Sequence, residues 1–195
     1  MKKAMLFIDA SNVYYDWLSV VGKKAALDWK KYIELVKGKF PDLDFIRTYY
    51  FTTDTQKNDG LLRAVNRLPY CEVVTGRLQN KKIDIEAKHG VHCGSCSTPI
   101  TGSITIPVDK GTDVNLTVEM LRHGFTHSYE TAVLVSRDAD FSGVVKIVKG
   151  LGCNVELVLF DHPSISAQEL SDCVDNIVLV NNAEWSGLEY LPTTP

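Results

Sequence analysis

Long apolar runs are missing from this chain; none exceeds the length of a strand, so no segment reads as a membrane span. Lys2 and Lys3 precede only five apolar residues before Asp9, too few for the core of a signal peptide, and the chain is expected to stay in the cytoplasm. Cysteine is sparse. Five is an odd number, and Cys71, Cys153 and Cys173 stand alone in apolar or strand-like contexts, as buried reduced thiols do. Positive charge is absent from the last quarter: no Lys or Arg follows Lys149, while seven acids do. The net charge of −3 excludes a global basic footprint, but residues 1–149 hold all 21 basic groups against 17 acids, about +4. That balance permits a nucleic-acid partner without requiring one, since phosphate contact needs a local basic surface. No internal repeat and no low-complexity segment is present. What remains is an ordinary globular composition, 45% hydrophobic over 195 residues, enough for one domain with a normal core.

Periodicity alternates between strand and helix. A first strand is expected at Lys3–Asp9, then a helix from Asn12 to Val20 capped by Ser11 or Asn12. Asp28 reads as the cap of a helix whose inner face is Trp29, Tyr32, Ile33 and Val36, stopped by Pro41. Asp44–Thr52 is aromatic and β-branched, a second strand. A helix from Asp54 to Arg67, with Leu61, Leu62, Val65 and Leu68 inward, leads to a third strand at Cys71–Thr75 that Gly76 turns. From Arg77 to Pro107 the pattern dissolves among glycines and polar residues, which predicts an irregular insertion. Val114, Val118 and Leu121 then mark a helix face. Thr131–Val135 is a buried strand, and from Asp140 helical spacing follows. Cys153–Phe160 is apolar enough for a central strand. A short helix at Ser164–Leu170, a strand at Asn176–Val180 and a tail over 181–195 complete the chain. Strands alternating with helices define a three-layer, Rossmann-like α/β fold with a mostly parallel sheet over 1–180.

Open α/β sheets bind ligands beyond the carboxyl ends of their strands, and acids collect there. Asp9 ends the first strand, Asp138 and Asp140 follow the strand at Thr131–Val135, and Asp113 starts a helix. Asp113 and Asp140 each also have a plainer role as anions at a helix N-terminus. Asp9 is different, because a charge ending a buried strand needs a partner or a metal. Gathered together, these carboxylates would repel one another and raise each other's pKa, which a divalent cation relieves. Mg²⁺ and Mn²⁺ prefer oxygen ligands and keep several waters, so water activated by the ion could attack a phosphodiester. A phosphatase of the haloacid dehalogenase type also uses strand-end aspartates, but needs one two residues after the first, where this chain has Ser11.

Three segments occur in order: Phe7-Ile8-Asp9-Ala10-Ser11-Asn12, Lys110-Gly111-Thr112-Asp113-Val114 and Ser136-Arg137-Asp138-Ala139-Asp140-Phe141. Together they resemble the NYN-domain family of PIN-like ribonucleases, from Met5 to about Val180. The resemblance implies a PIN-like fold, Mg²⁺- or Mn²⁺-dependent hydrolysis of RNA, and an acidic site made by Asp9, Asp113, Asp138 and Asp140. It also implies that Asn12 orients substrate or a metal-bound water and that Ser136 supports the strand end. The chain departs from the family in having Arg137 and Ala139 where glycines are common, and Thr112 where an apolar residue is. Arg137 is expected either to reach a substrate phosphate or to pair with Asp138 and weaken metal binding. A non-catalytic RNA-binding or protein-interaction module on the same fold is the competing reading.

The segment 77–107 carries its own chemistry. His89, His92, Cys93 and Cys96 form H-x₂-H-C-x₂-C, and both thiolates of a Cys-x₂-Cys pair can reach one tetrahedral zinc ion. With no second pair in the chain, another subunit would complete the site, which makes a homodimer a candidate assembly. A surface turn with free thiols explains the pair equally well, and a redox role less well. Arg77, Lys81, Lys82 and Lys88, with Lys110, offer a basic track for a single-stranded RNA backbone beside the acids, interrupted by Asp84 and Glu86. Tyr14, Tyr15 and Trp17 are candidates for stacking bases.

Overall fold

A computed structural model describes residues 1–21, 26–55, 58–85, 92–98 and 102–190. Among the described residues seven strands form one sheet: β1 (Lys2–Asp9), β2 (Leu43–Asp54), β3 (Cys71–Ile85), β4 (Gly102–Lys110), β5 (Thr131–Val135), β6 (Asn154–Phe160) and β7 (Asn176–Val180). Their order is β4-β3-β2-β1-β5-β6-β7. Every neighbouring pair is parallel except β3 and β4. The chain thus winds outward from β1 in one direction through β2 and β3, then returns to the other side of β1 through β5. The gap between the ends of β1 and β5 is the topological switch point, where such sheets bind ligands.

Helices cover both faces: α1 (Ala10–Val21), α2 (Trp29–Gly38) and α3 (Asp59–Asn66) on one, α4 (Thr112–Phe125) and α5 (Ser142–Gly150) on the other. Short α6 (Gln168–Ser171) and α7 (Asn182–Trp185) follow. Alternation along β1 sorts the two cores: Leu6 and Ile8 meet Trp17, Trp29 and Tyr32, while Met5 and Phe7 meet Leu116, Met120 and Val145. Each fully buried side chain of this size contributes roughly 1.5–3 kcal/mol. β1 takes the centre, and β6 lies one place in from the edge. Trp185 of α7 is buried against the first core, so the segment after 181 begins as part of the packed structure. Among the described residues no helix is long and apolar enough to cross a membrane.

Three sequence expectations need correction. The irregular insertion is instead an antiparallel hairpin: β3 continues through Gly76 to Ile85 and pairs with β4 in unbroken register from Arg77↔Lys110 to Ile85↔Gly102. Its described part is largely exposed on both sides, and the alternation of Ile104, Ile106 and Val108 in β4 runs through Pro107, a residue that reads against a strand. Val114 and Val118 point outward, 63% and 50% exposed, and the buried face of α4 is Thr112, Leu116, Met120 and Gly124. Leu61 is also turned outward, leaving Val65 as the buried residue of α3.

Candidate active site

The acids meet at the switch point through a short relay. Asp9 closes β1 and is almost fully buried. Its Oδ2 accepts from the Ser136 hydroxyl at 3.0 Å, and its Oδ1 accepts the Asn12 N–H at 3.1 Å. Ser136 Oγ in turn accepts the Asp138 N–H at 3.1 Å. Asp138 Oδ1 caps the 3₁₀ turn Ala139–Phe141, accepting the Asp140 N–H at 3.0 Å, and α5 starts behind it. One hydroxyl therefore joins the ends of β1 and β5, holding the Asp9 carboxylate against the backbone of Asp138.

Asp113 comes from the opposite direction. Gly111, at φ 91°, makes the left-handed turn out of β4 that side-chain residues resist, and α4 begins at the next residue. Thr112 Oγ1 donates to Asp109 Oδ1 at 2.9 Å and lies 3.4 Å from Thr52 O, while Asn115 Nδ2 donates to Thr75 O at 3.2 Å. These ties moor the first turn of α4 to the end of β2 and to β3 just before its midpoint. Gly76 is needed there, since a Cβ would stand 2.2 Å from Thr112 Oγ1.

Burial, reinforced by the fields of Asp113 and Asp138, pushes the Asp9 carboxyl up to about 6, against the lowering effect of its two hydrogen bonds. Asp113 is raised too, by burial first and then by Asp138, Asp109 and Asp140. Asp9 and Asp113 thus both feel the negative charge of Asp138, and Asp113 that of Asp140 as well. Among the described residues, however, no three His, Cys, Asp or Glu side chains converge closely enough to hold a metal ion together. The donor set still fits a hard divalent cation, because Mg²⁺ is commonly held by one or two carboxylates and completes its shell with water.

The remaining expected residues fall as follows. Asn12 faces the loop after β5, where its Oδ1 accepts the Arg137 N–H at 3.3 Å, so its carboxamide is engaged with the backbone. Arg137 does not pair with Asp138: its Nε lies 2.6 Å from Oδ1 of the buried Asp16 on α1. The contact is close but misaligned, and neither atom satisfies hydrogen-bond geometry. Burial raises Asp16 to about 6 despite the guanidinium. Asp16 was missed in the sequence, although it lies four residues after Asn12 and so shares its helix face. Arg77 and Lys110 are register partners at the base of the hairpin, and Lys81, two alternations along, shares their face at roughly 13 Å. Lys82 takes the opposite face and pairs with Asp84 at 3.5 Å. Lys88 and Glu86 lie outside the described residues. Tyr14 and Tyr15 are exposed, but Trp17 is core.

Cys93 and Cys96 form a tight turn: the Ser97 N–H donates to Cys93 O and the Cys93 N–H to Thr98 O, both at 2.9 Å. Contacts with Thr98 and then Cys93 lower the Cys96 thiol pKa. His92 belongs to the same stretch, and His89 lies outside the described residues.

A mostly parallel seven-stranded sheet flanked by helices, with its switch point between β1 and β5, is the architecture of a PIN-like fold. The family model of the NYN domain matches residues 3–181, nearly the whole chain. The chain belongs to the NYN domain family, a PIN-like ribonuclease family. A solved structure of a Vibrio parahaemolyticus protein of unknown function shares the fold at 17% identity, with a TM-score of 0.60 over 93% of this chain and 94% of that one. No curated protein matches.

Proposed function

We propose that the chain is a divalent-cation-dependent ribonuclease acting on single-stranded RNA. The observation that carries this reading is the relay from the Asp138 N–H through Ser136 Oγ to Asp9, which ties the backbone of one acid to the carboxylate of the other across the switch point. Asp9, Asp113, Asp138 and Asp140 would hold Mg²⁺ or Mn²⁺, which when bound polarises phosphoryl oxygen and lowers the pKa of water. Asp9 is committed to orientation as well as charge, since both its oxygens accept hydrogen bonds within the chain. Asp113 and Asp140 are more open and face the substrate side. Arg77 and Lys110 flank the acids with positive charge that suits a phosphate backbone. Ser136 and Asn12 act as positioning residues, holding the β5 loop against α1.

The test is cleavage of a labelled single-stranded RNA with Mg²⁺ or Mn²⁺, with Asp138→Asn alongside the wild type. Cleavage lost in EDTA and in the variant is expected; equal cleavage by both proteins would defeat the site. A second reading, an RNA-binding module without turnover, is favoured by the missing three-carboxylate convergence among the described residues. RNA binding with no cleavage under either metal would select it.

A further inference from the structure

Beside the carboxylates lies a cavity of about 920 Å³ that the cleavage chemistry does not use. It sits between α1, the start of α2 and α3, over the end of β2. Trp29 and Tyr50 are among its lining, their rings edge to face with centroids 4.8 Å apart. Tyr14, Leu61 and Tyr190 also line it, each leaving a large apolar side chain partly exposed. An apolar space of this size is within the range, roughly 300–1,000 Å³, of pockets that enclose small-molecule groups. Polar contact is sparse. Asn58 is already committed to Thr53 O and the Thr55 N–H, and Asp28 to the Lys31 N–H. The Ser11 hydroxyl is among the groups left to orient an occupant, and Lys30, whose ammonium lies 4.0 Å from Glu34, brings positive charge to the rim.

Its position says what the occupant is. Ser11 is two residues past Asp9, and Tyr14 lies roughly 6 Å along α1 from Ala10. The turn of α1 that presents Asn12 to the acidic site turns Ser11 and Tyr14 to the cavity. Thr52, on the cavity wall, lends its carbonyl to the N-terminus of α4, one residue before Asp113. Thr52 thus links the cavity wall to the start of the helix that carries Asp113. An aromatic-lined space next to a phosphate-cleaving edge suits a flat π-system attached to that phosphate. Every base offers such a face, and stacking on aromatic side chains is how proteins commonly hold single strands.

Resting on the ribonuclease reading above, we infer that this cavity is a base-binding subsite, which takes one unstacked nucleobase of the RNA strand next to the bond at the carboxylates. It selects among bases by fit and anchors the strand so that one phosphate lies over Asp9.

The test uses short single-stranded RNAs carrying the fluorescent base 2-aminopurine at successive positions, bound to the intact protein with Ca²⁺ in place of Mg²⁺. Two variants accompany the wild type: Tyr14→Ala removes an exposed ring, and Ala64→Trp, at an exposed position on α3, fills the cavity. Thermal melting checks that both fold. A fluorescence change confined to one position is expected, with binding about 5- to 100-fold weaker in both variants. On adding Mg²⁺, the wild type should cut beside that position. The same signal with no cleavage by the wild type would sink the ribonuclease reading and keep the subsite. Cleavage with no position-dependent signal, or wild-type affinity in both variants, would overturn the subsite and keep the nuclease. Binding of free 2-aminopurine nucleotide but not of the strand would overturn it in favour of a mononucleotide ligand.

Discussion

Replacing Asp9 by asparagine should stabilise the metal-free protein at neutral pH, although it removes the centre of the acidic site. Burial lifts the Asp9 carboxyl from 3.8 to about 6, so the folded state binds its proton more tightly than the unfolded chain does. Stability therefore falls as pH rises through the window from about 4 to 6 and stays low above it. The shift of about two units corresponds to roughly 3 kcal/mol lost between acid and neutral pH, of which about 1.4 kcal/mol falls between pH 5 and 7.5. The amide that replaces the carboxylate keeps one acceptor oxygen, so either the Ser136 hydroxyl or the Asn12 N–H loses its partner, at a cost of about 1–2 kcal/mol. The net gain expected at pH 7.5 is about 1–2 kcal/mol, shrinking to nothing or reversing by pH 5. Urea unfolding in EDTA at the two pH values measures it. Saturating Mg²⁺ should reverse the ranking, since a ligand at a hundred times its Kd adds about 2.7 kcal/mol to the protein that binds it. Destabilisation of Asp9→Asn at pH 7.5 without metal would refute the view of Asp9 as an uncompensated buried anion.

Arg137→Ala should leave Asp16 buried beside no cation. Its carboxyl would rise further, and the loss at pH 7.5 is about 1–3 kcal/mol, discounted because the guanidinium is partly exposed. That loss should fade towards pH 4, where Asp16 is protonated in the folded protein with or without Arg137; an equal loss at both pH values in urea titrations would exclude the ion pair as its source. Gly76→Ala would drive a methyl into Thr112 and should lower the melting temperature by about 2–10 °C, with cleavage impaired through displacement of Asp113. Arg77→Ala and Lys110→Ala should each weaken RNA binding across sequences and reduce the salt slope by about 0.7, read from fluorescence anisotropy at several ionic strengths.

Much of this was legible in the sequence, and the parts that were not have a common cause. The strands that end in Asp9 and precede Asp138 are buried on both faces, so their apolar runs announce them. β3 beyond Gly76 and β4 are exposed; the alternation of Ile104, Ile106 and Val108 was there to be read, but Pro107 within it and the polar residues of β3 spoke against paired strands. The α4 face was misread because two of its four buried positions, Thr112 and Gly124, are not hydrophobic, while exposed Val114 and Val118 are. Asp9 and Asp138 could be placed at one edge from strand ends alone, whereas Asp113 stands at a helix start. The Ser136 bridge between them, the Asp16–Arg137 pair and the mooring of Thr112 depend on residues 60 to 127 apart in sequence, which only the folded register brings together.

β3 changes partner midway. Up to Arg77 it is a parallel strand of the sheet; from Arg77 on, its companion is β4. The anchorage of Asp113 is complete at that crossing, through Gly76, Thr112 and the pairing of Arg77 with Lys110. Everything farther out is an arm with no say in where the carboxylates stand. Such an arm is free to be lengthened, trimmed or given a new tip as partners change, while the chemistry at its root keeps the same dimensions.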